Sequence, residues 1–263
     1  MDAEHLRLPS TVVAGGSGDL ASIVLLHGFT QTGASWMPLL EGLRGLGRRV
    51  VTVDLPGHGS SDPALDSSDL ATAASLVAAT AGRAVYVGYS MGGRVALRLA
   101  LDRPEEVEAL VLIGATAGIV DTDERRARQS SDSALAERIE AIGAGRFVDE
   151  WLTGPLFRGL EPTPSDLAGR KANRPEGLAA SLRNAGTSTM DPPWWDSLTA
   201  IEMPVLVLNG QRDPKFAQLG ARLVETIGTN AVRVEIPGAG HAAHLEAPSE
   251  TCAAIGAWLA GLG

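Results

Sequence analysis

At 263 residues, with 44% hydrophobic and 20% charged content, the chain can bury one sizeable α/β core and still carry an inserted subdomain. A formal net charge of -9 argues against a nucleic-acid or anionic-membrane partner, and the lone Cys252 excludes an internal disulfide. No apolar run is long enough to span a bilayer and the first twenty residues lack the apolar core of a leader, so a cytoplasmic location is the default expectation.

Residues 6 to 13 have room for one or two short edge strands, ending at the turn Gly15-Gly16-Ser17-Gly18. Ser22 to Leu26 is a continuous apolar run, as a strand covered on both faces requires. His27-Gly28-Phe29 follows, and Trp36 to Leu46 has the spacing of an amphipathic helix. Arg49 to Val53 reads as a second buried strand leading into Asp54-Leu-Pro-Gly-His-Gly-Ser60, and Leu70 to Thr80 as a helix. Next come a short strand at Val85 to Val87, the element Gly88-Tyr89-Ser90-Met91-Gly92, and helical spacing over Val95 to Leu101. Val107 to Ile113 is a further strand, closing at Gly114 to Gly118.

From Asp121 to about Asp196 the strand-like runs stop. Charged helical segments take over, punctuated by Pro155, Pro162, Pro164, Pro175, Pro192 and Pro193. This pattern predicts a helical cap, residues 121–196, inserted into a core made of 1–120 and 197–263. The core resumes with a strand over Pro204 to Asn209, a helix near Phe216 to Ile227, a strand over Val232 to Ile236 and a closing helix over Leu245 to Leu262. Strands alternating with helices imply a mostly parallel central sheet flanked by helices, wound with right-handed crossovers.

The G-x-S-x-G element between a strand and a helix is a nucleophile elbow, in which glycines at 88 and 92 spare a sharp turn and Ser90 stands exposed in a strained backbone. A serine hydroxyl needs a neighbouring imidazole to take its proton, and in this architecture the partners follow in the order Ser, Asp, His. Asp213 lies just past one strand end and His241 just past the last, both at the carboxyl edge where parallel sheets bind ligands. Ser90, Asp213 and His241 are therefore the candidate triad, with Asp213 orienting the imidazole and His241 exchanging the proton with Ser90. Asp54 also ends a strand, but its loop reads as structural. His58 reads as loop-shaping, His27 as shaping the oxyanion loop, His244 as a pocket or surface group and His5 as exposed. The oxyanion donors expected are the backbone N–H groups of Met91, at the helix start, and Phe29.

From end to end the chain resembles the α/β-hydrolase superfamily, and more narrowly the 2-succinyl-6-hydroxy-2,4-cyclohexadiene-1-carboxylate (SHCHC) synthases of menaquinone biosynthesis. The narrower resemblance rests on His27-Gly-Phe-Thr-Gln-Thr-Gly-Ala-Ser-Trp36, Gly88-Tyr-Ser-Met-Gly-Gly-Arg-Val-Ala-Leu97 and Asp123-Glu-Arg-Arg-Ala-Arg128. It extends through Phe147-Val-Asp-Glu-Trp151, Pro155-Leu-Phe157, Gly177 to Thr187, Trp194-Trp195 and Gly210-Gln-Arg-Asp-Pro-Lys-Phe216. Cap segments diverge between functions in this superfamily, so a match there carries more weight than the elbow. The loop after Gly118 departs from the pattern, reading Ile119-Val120-Asp121 where related sequences carry a polar residue that reaches the substrate.

The resemblance implies a lyase: an enolpyruvyl precursor loses pyruvate, with the triad as base and no acyl-enzyme. It also implies substrate contacts at Tyr89 and Trp151, the latter equally readable as a core aromatic of the cap. Such a substrate carries several carboxylates, which the guanidinium fork matches. Arg94 lies four residues after Ser90 and so on the same helix face. The cap adds Arg125, Arg126, Arg128 and Arg170; of these, Arg125 and Arg170 are the expected ligands, while two of the three arginines in the 125–128 cluster read as a solvated face.

The alternative is a carboxylesterase, thioesterase or C–C bond hydrolase with Ser90 as nucleophile. A non-catalytic binding protein on the same scaffold has little need for Ser, Asp and His together. The partner expected is a small anionic carboxylate, with no cofactor, since no dinucleotide fingerprint, P-loop or metal-ligand cluster is present; His241 and His244 alone are poor grounds for zinc. The sequence leaves the oligomeric state open.

Overall fold

A computed structural model describes residues 7–16 and 20–262. His5 and part of the expected Gly15 to Gly18 turn lie outside them. Seven strands form one sheet in the order β1-β3-β2-β4-β5-β6-β7. They are β1 (Ser10–Ala14), β2 (Ser22–Leu26), β3 (Val50–Val53), β4 (Ala84–Tyr89), β5 (Val107–Ile113), β6 (Val205–Gly210) and β7 (Ala231–Ile236). Only β1 runs antiparallel, pairing with β3 at the edge; every other pair is parallel.

The apolar runs of the central strands divide between two cores. Along β2, Val24 and Leu26 face one side while Ile23 and Leu25 face the other, and β4 alternates in the same way. One face is covered by α2 (Leu70–Ala81), α3 (Met91–Asp102) and α7 (Pro214–Ile227), the other by α1 (Leu40–Arg44) and α9 (Pro248–Ala260). Between β5 and β6 lies an all-helical insertion comprising α4 (Thr122–Leu152), α5 (Pro164–Lys171) and α6 (Pro175–Ala185), with its own small cluster around Ile139, Phe147 and Leu178. A break at Gly143, with φ 79°, divides α4 in two.

Two helices differ from the sequence reading. The segment expected as one helix from Trp36 begins at Gly33 as a 3₁₀ turn running to Leu39, and α1 covers only Leu40–Arg44. Thr32 and Ser35 form a capping box that starts the turn early, and Pro38 supplies no N–H for a longer α-helical ladder. The closing helix is also two pieces, α8 (Ala243–Glu246) and α9, because Pro248 pushes Ala247 out of helical geometry to φ -144°, ψ 66°.

Candidate active site

Ser90 sits at the turn from β4 to α3 with φ 50° and ψ -105°, a left-handed conformation that a non-glycine residue adopts only when its surroundings impose it. Its N–H donates to Ile113 O at 2.8 Å, pinning the turn to the neighbouring strand. A Cβ at Gly88 would lie 2.4 Å from Gly92 O, and one at Gly92 would lie 2.1 Å from Leu26 O. Glycine is needed at both positions because backbone approaches backbone there.

Asp213, the N-cap of α7, accepts from Phe216 N through Oδ1 and holds His241 Nδ1 through Oδ2 at 2.7 Å. This leaves Nδ1 as the protonated nitrogen and Nε2 as the free lone pair. Both residues are buried, and the rings of Phe216 and Tyr89 pack on the imidazole at 4.3 and 5.3 Å. Glu246 is a residue that sequence reasoning missed. Its carboxylate accepts from Gly240 N at 2.8 Å and Ala242 N at 3.1 Å, fixing the peptides on either side of His241. No hydrogen bond joins Ser90 to His241; Nε2 is buried without a protein partner, and both residues line one pocket. Triad hydrogen bonds commonly form only when substrate is bound.

In the loop from His27 to Gln31, the Gly28 N–H goes to Gln31 Oε1, the Thr30 N–H to His58 Nε2 and the Gln31 N–H to Gly28 O. Among the described residues the Phe29 N–H has no such acceptor, and Met91, as the first residue of α3, has its N–H free by helix geometry. His27 bridges Gly28 O and the Leu55 N–H. Asp54 is spent on Gly33 N and Ser60, which takes it out of contention as triad acid. His244 corrects the sequence reading: it is fully buried rather than in the pocket or on the surface, packed between the tilted rings of Trp36 and Tyr89 and bonded to Gln31.

The insertion supplies the other wall. Arg94, Arg128, Arg170 and Lys215 line the pocket, and no carboxylate does, in a chain whose net charge is -9. Arg94 is 8% exposed, donates to Ala185 O at 2.9 Å and has no ion-pair partner among the described residues. Burial, reinforced by Arg128, pulls its guanidinium down to about 10, which still leaves it charged at neutral pH. Arg170 is 1% exposed; its Nε is paired with Asp166 at 2.8 Å and its Nη1 with Thr30 Oγ1 at 2.8 Å.

Arg125 is not brought to the pocket. It donates to Ile119 O and pairs with Asp191 at 3.1 Å, while Arg128, one turn further along α4, takes the lining position. Arg126 is solvated. The Ile119-Val120-Asp121 loop borders a neighbouring depression, and Asp121 caps α4. Trp151 belongs to both of its readings: it stacks on Phe147 at 5.8 Å and also lines the pocket. Lys215 was within sight of the sequence, in the Asp-Pro-Lys-Phe run, but nothing there distinguished it from a solvated lysine.

Eight buried side-chain nitrogen or oxygen atoms lack a protein partner among the described residues, and four of them belong to pocket residues: Arg94 Nε, Trp151 Nε1, Arg170 Nη2 and His241 Nε2. Such atoms are few in folded proteins because each is costly, so their concentration here marks a place where a ligand completes the bonding. Three are donors and one is an acceptor.

The alpha/beta hydrolase family matches residues 23–255. The chain belongs to this family. A Bacillus subtilis (strain 168) protein named as a putative SHCHC synthase is 34% identical over 241 residues, 86% of each chain. An SHCHC synthase of Enterobacter sp. (strain 638) is 31% identical over 239 residues, 89% of each chain. The structure of MenH from S. aureus superposes with a TM-score of 0.87 at 27% identity, covering 97% of this chain and 98% of that one. Among the described residues no helix is long and apolar enough to cross a membrane.

Proposed function

We propose that this chain is a lyase of menaquinone biosynthesis, eliminating pyruvate from an enolpyruvyl-bearing cyclohexene carboxylate to give the product for which its relatives are named. Residues 121–196 act as the cap of this enzyme over a core of 1–120 and 197–263. The observation that carries the reading is the set of three unsatisfied N–H donors and one imidazole lone pair in a pocket lined by cations. A ligand with several carboxylates and one removable proton satisfies all four; a neutral acyl ester leaves the guanidinium donors unmet.

In this reading Asp213 holds His241 as the tautomer with Nε2 free, and the Ser90–His241–Asp213 unit takes a proton from a ring carbon. The C–H electron pair forms one ring double bond, the ring double bond already present shifts by one position, and the C–O bond to the enolpyruvyl group breaks. Its electrons leave on the enolate, which is protonated to pyruvate. The Phe29 and Met91 N–H groups stabilise the charge that builds on a substrate oxygen. Arg94 and Arg170, with Arg128, bind carboxylates, while Tyr89 and Trp151 form the apolar wall. No acyl-enzyme and no hydrolytic water take part.

The test is a spectroscopic assay on the authentic precursor, following loss of substrate and gain of pyruvate. Stoichiometric pyruvate is the expected result. A burst of product and an acylated Ser90 on p-nitrophenyl esters, without pyruvate from the precursor, would make the chain a hydrolase.

A further inference from the structure

Thr30 stands next to the candidate oxyanion donor Phe29 with φ 67°, a conformation that a β-branched residue adopts only when its surroundings impose it. Three neighbours hold it, through all three of its polar groups. Its N–H donates to His58 Nε2 at 3.2 Å, its Oγ1 accepts from Arg170 Nη1 at 2.8 Å and its carbonyl accepts from Asn173 Nδ2 at 2.7 Å. Two of these clamps, Arg170 and Asn173, come from the helical insertion. Asn173 Oδ1 in turn accepts from Gly59 N at 2.7 Å, so this one side chain ties the insertion to two core loops. The Phe29 ring is wedged among insertion aromatics, 5.5 Å from Trp151 and 6.3 Å from Phe147. Asn173 is 4% exposed and does not line the pocket.

We propose that Asn173 and Thr30 are positioning residues through which the insertion aims the Phe29 N–H into the pocket. The bonds at Thr30 fix the Phe29–Thr30 peptide from both ends, and with it the backbone of Phe29, whose own N–H projects from the other side of that residue. Loss of the Asn173 bond frees this end of the Phe29 backbone and lets the Phe29 N–H swing away from the developing charge. The inference rests on Phe29 being an oxyanion donor, but not on the identity of the substrate.

A fluorophosphonate probe separates the two questions. Ser90 Oγ attacks its phosphorus, fluoride leaves, the serine proton passes through His241 to solvent, and the phosphoryl oxygen occupies the oxyanion hole. Asn173→Ala is expected to lower the rate constant for Ser90 labelling by about a hundredfold, the scale for misplacing one such donor. Turnover of the precursor should fall in step while KM and the affinity for a dicarboxylate such as succinate stay within about twofold. Should the alanine variant fail to fold, the pair Thr30→Val and Thr30→Ser replaces it: valine should slow labelling and serine, which keeps the hydroxyl, restore it.

Labelling unchanged in these variants would overturn the proposal. So would a parallel loss of labelling and dicarboxylate binding, which marks general collapse of the insertion, or a wild-type Ser90 that the probe does not label. If the wild type is labelled and the variants are slow but pyruvate never appears, the clamp stands and the assigned reaction falls.

Discussion

The two walls of the pocket treat their polar groups in opposite ways. On the core side, around the His27 to Gln31 loop, most donors and acceptors are spent: His27 bonds to Leu55, His58 to Thr30, Asp54 to Gly33, and Gln31 to Gly28 and His244. What is left open among residues lining the pocket on this side is small, the Phe29 and Met91 N–H groups and the His241 lone pair, while Trp36 Nε1 and His244 Nδ1 lie unpartnered behind the loop. The other wall, built by the insertion and Arg94, keeps charged groups with spare donors at Arg94, Trp151 and Arg170. Saturation fixes geometry, whereas spare donors define what may enter. On this reading the core carries the reaction and the opposite wall carries the choice of substrate.

The largest effect falls on the core. His241→Ala removes the only lone pair facing the pocket among the described unpartnered atoms and should lower kcat by about 10⁴-fold with KM little changed. A fall of less than tenfold in steady-state kinetics would break the contrast, because it would place the base elsewhere.

A second prediction sharpens the claim that the core loops are closed. Burial holds His27 below its ordinary value and His58 down to about 3, so both take up a proton less readily folded than unfolded. The unfolded chain takes up these protons as pH drops through about 6.5, binding more than the native state. Stability is therefore greatest above that pH and is lost as pH falls, by about 1.4 kcal/mol per pH unit for His58 down toward 3, with His27 acting in the same direction. Urea unfolding at stepped pH values should show this slope, and His58→Gln should flatten it by one histidine's share; an identical slope in the variant would mean that His58 titrates freely.

On the opposite wall, Arg94→Ala should lower kcat/KM by about 2–3 kcal/mol, or about 30- to 150-fold, through loss of one charge-assisted contact. Unchanged turnover removes Arg94 from the site. The smallest effect separates neighbours on α4: Arg128→Ala should raise KM several-fold, while Arg125→Ala stays within about twofold because its partners are Asp191 and Ile119 O. The reverse order in matched kinetics would mean that the insertion packs in another phase when substrate binds.

The difference between the walls also explains what could be read from the chain. Backbone approach at Gly88 and Gly92 leaves a local signature, and strands buried on both faces leave apolar runs, so the sheet, the elbow and the strand ends bearing Asp213 and His241 were legible. Helix phase was not. Which way Arg125 turns is decided by its contact with Asp191, far along the chain. Asn173 acts through backbone groups of distant loops and Glu246 through those of the turn just before it, and backbone groups carry no side-chain pattern to detect. His244 was misplaced for a similar reason: its burial is set by Trp36 and Tyr89, residues from the other end of the fold.

The most direct test of proton abstraction without acylation uses precursor deuterated at the ring carbon that loses its proton. The account predicts a primary isotope effect on pyruvate release and an intact, unmodified Ser90 by mass spectrometry during turnover. Equal rates for the two isotopologues, together with an acyl group trapped on Ser90, would contradict it.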